Sequence, residues 1–195
     1  MVFGVIALAA ALQQDAAAQP ALSCPIAGAP ITGKPGEVID YAGIRFSTCC
    51  TDCGGAFKKD PAKALKASAE SGKTVGTFLF DPISGARIDA AKAAAYSDFK
   101  GVRYEFTTPG NKTAFDSNPK KYATMPAKEA LFCPVYKTKI ESYSKAGGYV
   151  DSNGVRYYVC CAHCLGEMGK DAAKYTANAA DQVAVPAAAD APPAQ

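Results

Sequence analysis

The chain has 195 residues, 49% of them apolar, with 21 basic against 18 acidic residues, one histidine and no tryptophan. That composition is globular, and the length fits one or two ordinary domains. The net charge of +3 is spread along the chain without a basic stripe, which argues against a nucleic-acid partner.

Met1 to Leu12 is an apolar run, and Ala16-Ala17-Ala18 before Gln19 offers an A-x-A cleavage site. We read residues 1–21 as an export signal, atypical in having no Lys or Arg before Lys34, and expect a periplasmic or secreted protein. A buried helix is the competing reading. The run is too short for a membrane span, which needs about 20 apolar residues, so no span is expected in the mature chain.

Three similar stretches follow, at 22–70, 79–126 and 131–178. Pro25, Pro82 and Pro134 open them. Gly43, Gly101 and Gly154 each stand two residues before Arg45, Arg103 and Arg156, and Phe57, Phe115 and Met168 match further on. Each stretch predicts a Cys-Pro or Asp-Pro turn, a loop, a glycine turn and a short alternating strand such as Val155–Val159. A helix follows, such as Gly55–Ala69 with Phe57 and Leu65 inward. The Ala-rich segment Ile88–Ala95 is also expected to be helical. The fold class is therefore α+β, three tandem small units of a strand pair and a helix. The glycines are expected at positive φ. The arginines are expected on the solvent face of a strand with their stems packed, with anion binding as the alternative. Residues 179–195 are Ala/Pro-rich and are expected to be a disordered tail.

The eight cysteines fall into two like sets, Cys24 with Cys49, Cys50 and Cys53, and Cys133 with Cys160, Cys161 and Cys164. Units of about 50 residues bury too little surface to be secure alone, and metals or disulfides commonly make up the deficit. In the metal reading, a C-x-x-C or C-x-x-x-C turn aims sulfurs at one point beside a helix start, which favours thiolate. The lone cysteine closes the site. Four sulfurs suit Zn²⁺, and thiolates also suit Cu(I); two ions per chain are expected. Adjacent residues on a strand point to opposite faces, so Cys49 and Cys50 share an ion only if the chain has turned at Cys50. The disulfide reading fits an exported protein with an even cysteine count, although a Cys49–Cys50 bridge would be strained. The redox reading takes Cys50-x-x-Cys53 and Cys161-x-x-Cys164 as exchange pairs and leaves Cys24 and Cys133 unexplained.

The middle stretch is an internal control. At the cysteine positions it carries Asp81, Thr107, Thr108 and Asn111, yet it keeps the glycine, arginine and phenylalanine. Those retained residues are therefore assigned to folding. A hard cation at Asp81, with Asp116 in reach, would be short of carboxylates. His163 lies inside the third cysteine turn where the first has Asp52; it is read as an exposed polar residue, with support of a metal ligand as the alternative.

The order Cys-Pro-x-x-Gly, then Gly-x-x-Tyr-x-Phe-Cys-x-x-x-Cys, then Phe-x-x-x-Pro-x-x-Tyr resembles the YHS/TRASH group of small metal-associated domains, over roughly Ser23 to Ala177. The middle stretch, with Asp81-Pro82-Ile83-Ser84-Gly85 and Phe115-x-x-x-Pro119-x-x-Tyr122, is YHS-like. The resemblance implies treble-clef-like units that bind or sense heavy metals. It implies Cys24, Cys49, Cys53, Cys133, Cys160 and Cys164 as ligands. The family often has a second cysteine in the opening turn, where this chain has Ala27 and Tyr136, and Cys50 and Cys161 are expected to replace it. No nucleophile with a His/Asp pair, phosphate loop or open His-rich site points to catalysis. The expected function is capture, buffering or delivery of a metal, with a metal-transport or redox partner protein. The alternatives are a periplasmic thiol–disulfide oxidoreductase and a disulfide-stabilised interaction module.

Overall fold

The computed structural model describes residues 19–191, so residues 1–18 of the expected export signal lie outside the described residues. The chain is α+β with mixed sheets. In order, β1 (Glu37–Tyr41), β2 (Ile44–Thr48), α1 (Thr51–Lys59) and α2 (Pro61–Ser71) lead to β3 (Gly76–Phe78). Then come β4 (Ala95–Phe99), β5 (Val102–Phe106), α3 (Pro109–Ser117), α4 (Pro119–Tyr122) and β6 (Lys128–Ala130). The last part holds β7 (Phe132–Cys133), β8 (Thr138–Lys139), β9 (Gly148–Ser152), β10 (Val155–Val159), α5 (Ala162–Lys170), α6 (Ala173–Thr176) and β11 (Ala189–Asp190).

The same succession, a hairpin then two helices, thus occurs at three places: β1–β2–α1–α2, β4–β5–α3–α4 and β9–β10–α5–α6. Each hairpin closes through a two-residue loop, Ala42-Gly43, Lys100-Gly101 or Asn153-Gly154, in which both residues have positive φ. That is the turn whose twist matches paired strands, and glycine takes its second position without strain. Helix breaks are equally local. The expected helix Gly55–Ala69 is two helices, because Asp60 ends α1 with extended φ and caps α2 through Lys63 N, with Pro61 opening the new helix. Phe57, Phe115 and Met168 are buried on the inner faces of α1, α3 and α5.

A six-stranded sheet has the order β11-β1-β2-β3-β5-β4, and a three-stranded sheet has the order β6-β10-β9. All pairs are antiparallel except β3 with β5 and β6 with β10. Phe78, Phe80, Tyr104, Tyr149 and Tyr158 stack together where the two sheets meet, with ring centroids 5.5–5.7 Å apart in the Phe78 and Phe80 contacts.

Three expectations are corrected here. The arginines do not lie on a solvent face: the side chains of Arg103 and Arg156 are only 4% and 1% exposed, and Arg45 is 27% exposed. Each faces an aspartate across its hairpin, in the registers Asp40↔Arg45, Asp98↔Arg103 and Asp151↔Arg156. Each grips that carboxylate with two hydrogen bonds of 2.8–2.9 Å. A bidentate fork tolerates burial that a lone cation does not. Arg156 also lies 4.1 Å over the Tyr149 ring. Second, Ile88–Ala95 is not a helix; a 3₁₀ turn spans only Ala90–Lys92, and β4 begins at Ala95. Third, the segment from residue 179 is ordered through Ala191. Ala179 is fully buried, Ala184 exchanges backbone hydrogen bonds with Glu129, and β11 adds an edge strand to β1.

Candidate metal centres

Each centre begins with a tight turn. Cys24 N donates to Ala29 O and Gly28 N to Cys24 O, and the same pair of bonds joins Asp81 to Ala86 and Gly85. Such a turn points the next backbone amides back at the side chain of its first residue. Asp81 Oδ1 accepts from Ile83 N at 2.9 Å and Ser84 N at 3.3 Å. Cys24 Sγ accepts from Ala27 N at 3.5 Å. The three first residues, Cys24, Asp81 and Cys133, are fully buried.

The second half comes from the end of a hairpin. β2 stops at Thr48, Cys49 follows, and Cys50 is extended (φ −154°, ψ 168°) as the residue before α1, which carries Cys53 in its first turn. The third hairpin repeats this with Cys160, Cys161 (φ −157°, ψ 170°) and Cys164. Cys24, Cys49 and Cys53 thereby bring their sulfurs within 4.8 Å of one another, as do Cys133, Cys160 and Cys164. The Cys49–Cys53 and Cys160–Cys164 sulfurs are 3.6 and 3.7 Å apart. Sulfurs bound at about 2.3 Å to one tetrahedral ion stand about 3.8 Å apart. A disulfide needs about 2.05 Å, and all eight cysteines are free thiols.

The sulfur groups are therefore triads, and the two expected four-sulfur sites lack Cys50 and Cys161 as core members. Cys50 Sγ instead accepts from Cys53 N at 3.4 Å, capping α1, and Cys161 Sγ lies 3.5 Å from Cys164 Sγ at the triad's edge. The middle stretch shows why. Thr108 occupies the same place and caps α3 through Asn111 N at 3.1 Å. In α1 and α3 the position is a helix cap first, because its extended backbone turns the side chain toward a first-turn amide, whereas Cys161 makes no such side-chain bond to α5.

The rest of the middle stretch reproduces the triad in oxygen and nitrogen. Asp81 Oδ2 accepts from Thr107 N (2.8 Å), Thr107 Oγ1 (2.6 Å) and Asn111 Nδ2 (2.7 Å). Asp81, Thr107 and Asn111 thus stand where Cys24, Cys49 and Cys53 stand, held by hydrogen bonds alone. Burial works against the Asp81 charge, but the donors from Thr107, Asn111 and Ile83 together hold its carboxyl below the usual range.

The cysteines follow the same physics. Burial opposes ionisation of Cys24 and Cys133. The amides of Ala27, Cys49 and Ile26 around Cys24, and of Tyr136, Cys160 and Val135 around Cys133, outweigh it and lower both thiols. Cys50 and Cys161 are lowered chiefly by the amides of Cys53 and Cys164. The remaining sulfurs move the other way. Cys49 is raised by sharing a proton with Cys24, and burial followed by Cys133 pushes Cys160 up to about 11. Cys53 is raised first by its contact with Cys50, and Cys164 first by burial. Neighbouring like charges resist joint ionisation, and a cation in their midst removes that resistance. The set can therefore hold a soft ion.

His163 is exposed, belongs to neither triad, and stacks on Tyr136 with ring centroids 6.2 Å apart. Sequence reasoning missed two residues beside the sulfurs. A Cβ at Gly36 would lie 2.4 Å from Cys50 Cα, and one at Gly147 would lie 2.5 Å from Cys161 Cα. Their place before each hairpin, where the middle stretch has Ala94, was the available signal. Gly147→Ala should push the Cys160–Cys161 turn off its sulfur partner, at a cost of about 1–3 kcal/mol in stability. Ion counting and thermal unfolding check it: an unchanged ion count and melting temperature would show that the close approach is not needed.

No family model, curated protein or solved structure matches this chain. Fold and site define it as an α+β protein with two three-cysteine groups, each able to hold a metal ion. Among the described residues no helix is long and apolar enough to cross a membrane.

Proposed function

We propose that this is an exported, non-enzymatic protein that captures, buffers or delivers a soft metal ion, Zn²⁺ or Cu(I), with one ion in each triad. Its three hairpin–helix units are read as tandem treble-clef-like modules of the YHS/TRASH kind, the middle one having lost its ligands. Export rests on the apolar run at Met1 to Leu12 and its A-x-A site. A metal-transport or redox protein is the expected partner. The observation that carries the reading is the convergence of three sulfurs at each outer turn, built like the middle turn whose amides hold a buried carboxylate and with Ala27 N directed at Cys24 Sγ. The amides lower the Cys24 and Cys133 thiols despite their burial, and such sulfurs beside two more suit a soft cation. Cys50 and Cys161, whose sulfurs lie 3.4 Å from Cys53 N and 3.5 Å from Cys164 Sγ, are the expected fourth sulfurs once an ion is bound.

The test is elemental analysis with free-thiol counting on anaerobically purified protein. Two ions per chain are expected, falling to one in Cys24→Ser and in Cys133→Ser. Oxidised bridges with no ion would refute the proposal. A second reading has one observation behind it: Cys50 is exposed at a helix start with its thiol lowered, as in thiol–disulfide exchange. It requires turnover of a disulfide substrate that Cys50→Ser abolishes.

A further inference from the structure

The two triads are built alike but are not covered alike. Cys49 and Cys50 are exposed and Cys53 is half-buried, whereas Cys160 and Cys161 are half-buried and Cys164 is buried. Every sulfur of the later turn is thus one step further from water than its counterpart. The cover has two parts. Tyr136 and His163 stack face to face beside the later triad (interplanar angle 26°), and the corresponding residues of the first, Ala27 and Asp52, are exposed and too small to make such a lid. The turn of Cys133 is also clasped from the far end of its own stretch. Asn178 Nδ2 donates to Pro134 O at 2.9 Å, beside the fully buried Ala179. The turn of Cys24 has an exposed lysine contact instead, Lys73 Nζ to Gly28 O at 2.9 Å.

We propose that the triad of Cys24, Cys49 and Cys53 is an exchange site that hands its ion to an incoming thiol, while the triad of Cys133, Cys160 and Cys164 retains its ion and holds the fold. The inference rests on the metal-binding reading above. Exchange at a thiolate-bound ion is associative and involves no oxidation. The incoming sulfur forms a bond to the ion with its lone pair, and the bond from the ion to Cys49 breaks with its electron pair returning to that sulfur. The proton of the incoming thiol passes to the departing sulfur or to water. The step needs room for an extra sulfur beside the ion, and exposed Cys49 gives it. At the later triad, the Tyr136–His163 lid and the Asn178 clasp restrict the same approach.

The full chain loaded with two equivalents of Zn²⁺ is challenged with excess dithiothreitol and a zinc-responsive dye. Release is expected in two phases of one equivalent each, the first on the order of tenfold faster, the scale on which groups around a metal's ligands tune its hold. Cys24→Ser should remove the fast phase and Cys133→Ser the slow one. The double variant Tyr136→Ala, His163→Asp changes only exposed side chains and should bring the slow phase toward the fast rate. Two equivalents leaving at one rate, a fast phase that survives Cys24→Ser, or a slow phase untouched by the double variant would each overturn the inference and leave the metal reading standing. Fewer than two equivalents bound at the start would overturn that reading itself, and the inference with it.

Discussion

Asp81→Cys, Thr107→Cys and Asn111→Cys, introduced together with Ala94→Gly, should raise the ion count of the protein from two to three. The middle stretch already has the opening turn, the amides aimed at its first residue, a hairpin ending beside that residue and a helix cap at Thr108. Asp81, Thr107 and Asn111 already converge within 2.6–3.2 Å of one another's polar atoms. Three sulfurs in their place would meet the spacing of the two natural triads. Ala94→Gly supplies the close approach that Gly36 and Gly147 give elsewhere. Elemental analysis reads the outcome. A folded variant that still binds two ions would show that turn and amide cage do not suffice to make a centre.

Removing the oxygen version of the centre should be nearly as disruptive. Asp81→Ala leaves the amides of Ile83, Ser84 and Thr107 and the side chains of Thr107 and Asn111 without their acceptor, although Ser84 and Thr107 are exposed and can turn to water. A buried unsatisfied group costs about 1–3 kcal/mol, and with water reaching the exposed donors the total loss is about 2–3 kcal/mol. The pH dependence has a definite sign. The carboxyl is held below its unfolded value of about 3.9, so its contribution is present above that pH and fades as pH falls through the lower folded value. Burial raises Glu105 and Glu129 above the ordinary range, and these favour the folded state in the opposite direction. The difference between wild type and Asp81→Ala therefore isolates the effect. Urea midpoints should differ widely at pH 6 and converge below pH 4; a constant difference would show that the Asp81 charge is not what the cage holds.

Much of the framework was legible because it is local. The spacing from Gly43, Gly101 and Gly154 to the arginines located three hairpins, and Val155–Val159 is a strand over the expected residues. Cys24 and Cys133 fold back onto the later cysteines, as four-residue spacing at a helix start allows. The residues the middle stretch retains lie in a hairpin turn, an ion pair and the core. What escaped depends on partners distant or unpatterned. Asp40, Asp98 and Asp151 stand five residues before their arginines, but only the register of a two-residue turn sets them face to face. Composition suggested a disordered tail, and pairing with the open edge of β1 orders it through Ala191 instead. The role of Cys50 was hidden because cysteine seldom caps a helix; the threonine at position 108 was the clue.

One short strand decides how these pieces answer to each other. β3 pairs antiparallel with β2 through Ile44↔Phe78 and parallel with β5 through Thr77↔Arg103. Its Phe78 ring packs on Tyr149 of the third hairpin. Three residues thus belong at once to the first, second and third segments, and losing them would unravel all three. Melting should then be a single cooperative event, and ligation at either end should be felt everywhere. A chelator that empties one triad would lower the one shared midpoint, by the mass-action link between occupancy and folding.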